Sequence, residues 1–123
     1  MARAGRVVRG CLDLIGRTIE AGITTKELDR LAERYIRSEG GVPTFKGYRG
    51  FPGSICASPN DMVVHGIPGK VRLREGDILG VDVGVTMEGY VADGASTFPV
   101  GEITKAAAEL LRVTEESLML GIA

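Results

Sequence analysis

The chain has 123 residues, of which 44% are hydrophobic and 25% are charged, so it can build an ordinary globular core. Fifteen Lys and Arg against sixteen Asp and Glu give a net charge of −1, and the basic residues are scattered along the chain. This balance argues against a nucleic-acid-binding protein and against a basic patch that would bind a membrane surface.

The N-terminal residues lack the apolar run of a secretory signal peptide. No segment approaches the roughly 18 consecutive apolar residues of a membrane-spanning helix. The two cysteines, Cys11 and Cys56, are too few for a disulfide framework, so we predict two free, partly buried thiols in a reducing compartment. We therefore expect a soluble, cytoplasmic protein.

Two helices are predicted before residue 41. Apolar residues at helical spacing predict the first over residues 2–20, ending near Ala21 and Gly22. Thr24 followed by Glu27 is a capping-box pattern, which predicts the start of the second helix. Its end is expected at Glu39-Gly40-Gly41, where glycine supplies positive φ angles. The buried side of the second helix should hold Leu28, Leu31, Tyr35 and Ile36.

The middle of the chain is rich in glycine and proline. Three of its six aromatic residues fall between residues 43 and 59, namely Phe45, Tyr48 and Phe51. We predict short strands at Ser54–Ala57 and Met62–His65, followed by a loop that runs to Asp77.

Two longer strands are predicted at Ile78–Val85 and Tyr90–Pro99, joined near Met87-Glu88-Gly89. Thr104 is the expected N-cap of a third helix, on which Leu111, Thr114 and Leu118 share one face. The order of helices followed by grouped antiparallel strands predicts an α+β fold. Because the pattern of the third helix is still running at the last residue, we expect the chain to be a piece of a longer protein.

The predicted hairpin carries one carboxylate on each strand, Asp82 and Asp93. A two-residue turn at Met87-Glu88 would place them directly opposite, and one at Glu88-Gly89 would make them diagonal neighbours. Either register puts both acids on one face of the sheet. A three-residue loop would instead send them to opposite faces.

The residues around Asp82 alternate between two kinds of face. Val81, Val83 and Val85 form a β-branched face suited to the core, whereas Gly80 and Gly84 leave space beside the acid. Two like charges that face each other destabilise a sheet. The pair could bind a cation, share a proton, or lie exposed to water as ordinary surface acids.

His65 is the only histidine, and it ends an apolar segment at the start of a Gly/Pro loop. Loops often display functional side chains. A single histidine can equally be a structural residue, and its spacing alone does not decide between the two interpretations.

Several motifs together resemble the N-terminal half of a type I methionine aminopeptidase. They are "GYRGFPGSIC", "SICASPNDMVVHGIPG", "EGDILGVDVGVTMEGYVADGASTFPVG" and "TEESL", in the family's order and spacing. The resemblance implies the N-terminal half of a pita-bread fold, with helices packed on an antiparallel sheet. It also implies that residues 1–123 are a partial aminopeptidase catalytic domain, truncated at the C-terminus and slightly at the N-terminus.

The resemblance assigns roles to individual residues. Asp82 would chelate one of two divalent metal ions (Co, Mn, Fe or Zn), and Asp93 would bridge both. His65 would be a catalytic residue that also contacts the substrate, by hydrogen bonding to the substrate amide or by protonating it. The methionine side-chain pocket would be lined by Phe45, Tyr48, Phe51 and Cys56.

The implied reaction is removal of the initiator methionine from the N-termini of nascent polypeptides, with the ribosome as the candidate place. The family's remaining metal ligands, one histidine and two glutamates, lie in its C-terminal half, so we expect residues 1–123 alone to be inactive. Three alternatives stay open: a prolidase or creatinase relative, a non-catalytic pita-bread domain that binds proteins, and a structural module with a surface acid pair. No nucleic acid or membrane partner is expected.

Overall fold

The computed structural model describes residues 1–123 as three helices and one antiparallel sheet. The helices are α1 (Ala2–Thr18), α2 (Thr25–Ser38) and α3 (Lys105–Ile122). The strands are β1 (Val42–Pro43), β2 (Ile55–Pro59), β3 (Ile78–Met87) and β4 (Tyr90–Pro99). This is the α+β arrangement that the sequence predicts.

The first helix ends slightly earlier than its apolar pattern suggests. Its last residue is Thr18, and Ile19 already has an extended backbone with φ −62° and ψ 129°. The chain then reverses at Gly22, whose φ of +97° suits glycine. The face that packs on the sheet buries Ala4, Val7, Val8, Cys11 and Ile15.

The capping box predicted for α2 is present. The Thr24 hydroxyl accepts a hydrogen bond from the Glu27 amide at 3.1 Å, and the Glu27 carboxylate accepts one from the Thr24 amide at 2.7 Å. The predicted buried side needs one correction. Leu31 and Tyr35 are only half-buried, whereas an acid, Asp29, lies inside. The helix turns Asp29 inward because backbone amides of β2 lie there, as described below.

The central strand of the sheet is β3. It pairs with β4 along its whole length, and its other edge pairs with β2 and then with β1. Met87 pairs with Tyr90, so the hairpin turn consists of Glu88 and Gly89, with φ angles of +53° and +81°. Positive φ at both positions is the signature of a type I′ turn, which fits the twist of paired strands.

The predicted strand at Met62–His65 is wrong. These residues form no ladder, and the side chains of Met62, Val63 and Val64 are 47%, 88% and 61% exposed. Both edges of β3 are already paired, so this β-prone segment cannot add to the central strand. It becomes part of the loop that carries His65.

The hydrophobic core lies between the sheet and helices α1 and α2. Val81, Val83 and Val85 of β3 point into it and are at most 1% exposed. By contrast, α3 buries no residue, although Thr104 caps it as predicted by accepting a hydrogen bond from the Ala107 amide. None of the helices combines the length and apolar character needed to cross a membrane.

Candidate active site

One open cleft brings together all the site residues that the sequence predicts. Its volume is about 630 Å³, which is within the usual range for small-molecule sites. The predicted residues along it are Phe45, Tyr48, Phe51, Cys56, His65, Asp82 and Asp93. Four residues that the sequence did not single out also line it: Arg49, Gly50, Pro52 and Ile67.

The acid pair lies on one face of the hairpin. Asp82 pairs with Ala95 and Asp93 pairs with Gly84, so the two acids are diagonal neighbours. This is the register expected for a turn at Glu88-Gly89. Diagonal positions on a sheet are roughly 7 Å apart, close enough for both carboxylates to reach one ligand.

The environment of Asp82 disfavours its charge. Burial raises the pKa of Asp82 to about 6, the nearby Asp93 carboxylate adds to the rise, and His65 opposes it. One carboxylate oxygen, Oδ1, is buried and has no hydrogen-bond partner. A buried acceptor without a donor costs free energy unless something else compensates it.

A divalent cation would compensate that oxygen, and the residues fit part of such a site. Carboxylate oxygens suit hard and borderline divalent metals, and both acids line the same cleft. Within residues 1–123, no group of three or more His, Cys, Asp or Glu side chains is arranged to hold a metal ion. The chain therefore offers two ligands, and a complete coordination shell needs further ones.

The glycines beside Asp82 have different surroundings. A Cβ at Gly84 would lie 2.7 Å from the Phe45 ring, so this ring packs directly on the glycine backbone. At Gly80 the nearest atom would be 3.6 Å away, which is ordinary contact. A Cβ would therefore fit at Gly80 without a clash, whereas the expected space at Gly84 is filled by the aromatic ring.

Two backbone hydrogen bonds of Gly66 hold the chain next to His65. The Gly66 amide donates to the Ser58 hydroxyl at 3.0 Å, and its carbonyl accepts from the Ala57 amide at 2.9 Å. A side chain at Gly66 would overlap the Ala57 carbonyl oxygen. His65 itself is exposed and has a φ of +61°, a strained value that histidine adopts more readily than most residues.

The aromatic side of the cleft is a tightly turned loop, residues 44–53, which is called the aromatic loop below. Gly47, Arg49 and Gly50 all have positive φ angles, of 83°, 50° and 78°. The Arg49 guanidinium lies 5.4 Å from the centre of the Tyr48 ring, within cation–π range. The loop thus presents an apolar wall to the cleft, and Arg49 is the one cation of the loop that lines it.

Cys56 forms the floor beside the acids. It is 8% exposed and pairs with Asp82 across the β2–β3 ladder. Burial raises the pKa of the Cys56 thiol, and the charges of Asp82 and Asp93 raise it further. The thiol is therefore neutral at physiological pH, as an apolar pocket requires. Both cysteines are free and buried, as predicted.

Sequence reasoning missed Ser58 and Arg49. Ser58 lies in a strand-forming segment, where a small polar residue is unremarkable, and its hydrogen bond to Gly66 spans a loop. Arg49 could have been noticed, because it stands between two nearby glycines in an aromatic segment. The roles predicted for the other residues rest on the resemblance, and their shared cleft is compatible with those roles.

Comparison with known proteins agrees with the geometry. Methionine aminopeptidase 1 of Bacillus subtilis is 50% identical over 122 residues, covering 99% of this chain and 49% of that protein. The crystal structure of methionine aminopeptidase from Thermotoga maritima superposes with a TM-score of 0.92 at 38% identity, covering 94% of this chain and 47% of that chain. The chain spans about half the length of the curated relatives it matches.

A more distant likeness shows the fold alone. The Xaa-Pro dipeptidase from Bacillus anthracis superposes with a TM-score of 0.73 at 21% identity, covering 86% of this chain and 28% of that chain.

The likeness to the solved methionine aminopeptidases shows that the helices and sheet are the N-terminal half of a pita-bread fold. The family model for metallopeptidase family M24 matches residues 1–123. The chain therefore belongs to metallopeptidase family M24.

Proposed function

We propose that these residues serve a methionine aminopeptidase, which removes the initiator methionine from nascent polypeptides. The observation that carries this proposal is the single cleft that holds the acid pair, His65 and the aromatic loop together. The similarity to methionine aminopeptidases, at up to 50% identity over nearly the whole chain, supports it.

Asp82 and Asp93 are the proposed ligands of two divalent metal ions (Co, Mn, Fe or Zn). The unpartnered Oδ1 of Asp82 and the raised pKa of this acid both favour a bound cation over a free carboxylate. Bound divalent metals supply Lewis-acid polarisation of the peptide carbonyl and activation of water. The remaining ligands would come from protein outside residues 1–123.

His65 is the proposed hydrogen-bonding residue for the substrate. Its imidazole stands exposed at the cleft, and the hydrogen bonds of Gly66 hold the backbone next to it. A donor fixed in this way can stabilise the charge that develops on the peptide group during hydrolysis.

The substrate side chain is proposed to lie against Phe45, Tyr48, Phe51 and Cys56. An unbranched thioether suits such a pocket, because sulfur makes favourable contacts with aromatic rings. The proposed substrates are nascent chains with an N-terminal methionine, met in the cytoplasm and at the ribosome. Neither a nucleic acid nor a membrane is a proposed partner.

The test is peptide hydrolysis by the product of the whole reading frame that contains these residues. With Mn or Co added, we expect release of methionine from a Met-Ala-Ser peptide and at least about 100-fold less from Asp82→Asn and Asp93→Asn variants. Lys26→Ala, at an exposed site on α2, is the matched control. Efficient cleavage of a Xaa-Pro peptide, with none of Met-Ala-Ser, would favour a prolidase-type enzyme instead.

Residues 1–123 on their own are predicted to be inactive. Two carboxylates are too few to hold two metal ions at the concentrations of an ordinary assay. Incubation of the 123-residue chain with Met-Ala-Ser and Mn or Co should release no methionine. Turnover in this assay would show that the two acids suffice and would overturn the ligand count.

A further inference from the structure

Asp29 is the one buried acid that the proposed chemistry does not use. It lies on α2, on the core side, and is 8% exposed. Charged side chains are seldom buried this deeply unless they are paired. Burial raises the pKa of Asp29, and two backbone N–H donors counteract that rise. Its position therefore needs a reason beyond packing.

Both donors lie where the aromatic loop joins the sheet. The Asp29 Oδ1 atom accepts hydrogen bonds from the Ser54 amide at 2.7 Å and from the Ile55 amide at 3.0 Å. Ile55 begins β2, which carries Cys56 one residue later. One carboxylate oxygen thus fixes the C-terminal end of the loop that carries the aromatic residues.

A second acid on the same helix holds the other part of this loop. Glu33 lies one helical turn after Asp29, so both project from one side of α2. The Glu33 carboxylate pairs with Lys46 at 2.7 Å, and its side chain is only 20% exposed. Lys46 follows Phe45 and lies two residues before Tyr48.

The chain passes very close to α2 at Gly53. A Cβ there would lie 2.9 Å from Pro68 and 3.2 Å from the Asp29 carboxylate. A side chain at Gly53 would therefore crowd both Pro68 and the Asp29 carboxylate, so glycine favours this close approach of the loop to Asp29.

We propose that Asp29 and Glu33 are positioning residues, which hold the aromatic loop against α2 and so set the side-chain selectivity of the cleft. This inference rests on the proposed function for the identity of the side chain. The mechanism is simple. Removing the Asp29 carboxylate leaves two amides without acceptors, and the loop then loses the geometry that places Tyr48 and Phe51 opposite Cys56.

The first test is hydrogen exchange of individual amides in the 123-residue chain. In Asp29→Ala, the Ser54 and Ile55 amides should exchange at least about tenfold faster, and amides of residues 44–53 should follow. The amides of the β3–β4 ladder should change less than about threefold. Asp29→Asn keeps an oxygen acceptor and should restore protection to within about threefold of the wild type.

The second test is the ligand selectivity of the product of the whole reading frame, measured by NMR titration with L-methioninamide and, separately, L-isoleucinamide. The wild type should prefer methioninamide, Asp29→Ala should lose most of that preference, and Asp29→Asn should keep it. Asp13→Ala removes an exposed acid from α1 and is the matched control. If Asp29→Ala does not fold, Glu33→Gln gives the same comparison through the Lys46 contact, with a smaller expected loss.

The outcomes separate two kinds of failure. Unchanged loop exchange in Asp29→Ala, or a loosened loop with unchanged methionine preference, contradicts the positioning role. Equal losses of amide protection and of methioninamide preference in Asp29→Ala and Asp29→Asn also contradict it, because the oxygen acceptor would then not matter. A wild type that shows no preference for methioninamide contradicts the proposed function, while the exchange data still decide whether α2 anchors the loop.

Discussion

The two faces of β3 differ in almost every respect. One face presents Val81, Val83 and Val85 to α1 and α2, and none of the three is more than 1% exposed. The other face carries Asp82 between Gly80 and Gly84, and this acid lines the open cleft with one buried oxygen left unpaired. Alternate residues of this strand therefore face the hydrophobic core and the polar cleft side of the sheet.

The comparison shows how one strand serves stability and chemistry separately. The core face is filled by side chains that could be exchanged only for others of similar volume. The cleft face carries an acid whose charge is disfavoured by burial, and the strained His65 of a nearby loop lines the same cleft. Substitutions on the two faces should therefore have opposite effects on stability.

The largest stability effect is expected on the core face. Val83→Ala removes two buried methyl groups and leaves a cavity, which should lower the free energy of unfolding by about 2–3 kcal/mol. Urea denaturation of the 123-residue chain measures this. Val91→Ala is the control, since Val91 is 51% exposed on β4 and should change stability by less than about 0.5 kcal/mol.

A smaller effect of opposite sign is expected at Asp82. Its folded-state pKa is raised, so the protonated form stabilises the fold below pH 4 and that contribution is lost as pH rises through about 6. At pH 7 without metal, Asp82→Asn should therefore be more stable than the wild type by about 1 kcal/mol, after allowance for solvent screening. The difference should shrink on acidification. Equal stability at every pH from 4 to 7 would show that the carboxylate carries no burial cost.

The smallest effect is expected at His65. Because its φ is +61°, His65→Gly should relieve strain and raise the free energy of unfolding by about 0.5 kcal/mol. The same substitution in the whole reading-frame product should lower the rate of Met-Ala-Ser hydrolysis by at least about 100-fold. Loss of activity together with loss of stability would instead identify His65 as a structural residue.

Local signals predicted most of the fold. Residue periodicity and two capping threonines located all three helices, because the N-terminal hydrogen bonds of a helix involve neighbours three residues apart. The hairpin strands followed from their composition. Their register remained open until the turn at Glu88-Gly89 was known, since a shift of one residue moves a side chain to the other face.

The errors occurred where distant contacts decide the structure. Met62–His65 has strand-forming residues, but it pairs with no strand, and both edges of the central strand β3 are occupied by other strands. Asp29 occupies a helix position that periodicity places with buried Thr25, Leu28, Ala32 and Ile36, but its charge argued against burial. Its acceptor role concerns amides 25 and 26 residues later. The cleft residues were identified because their motifs resemble a family. Their position in one cleft required the tertiary structure.

The most direct test of the central claim is metal binding by the product of the whole reading frame. Isothermal titration with Mn or Co should show two ions bound to the wild type. Asp82→Asn and Asp93→Asn should each bind metal at least about 100-fold more weakly, because each removes a carboxylate that contacts an ion. Undiminished metal binding by both variants would contradict the account, because the acid pair on the cleft face of β3 would then not be the metal site.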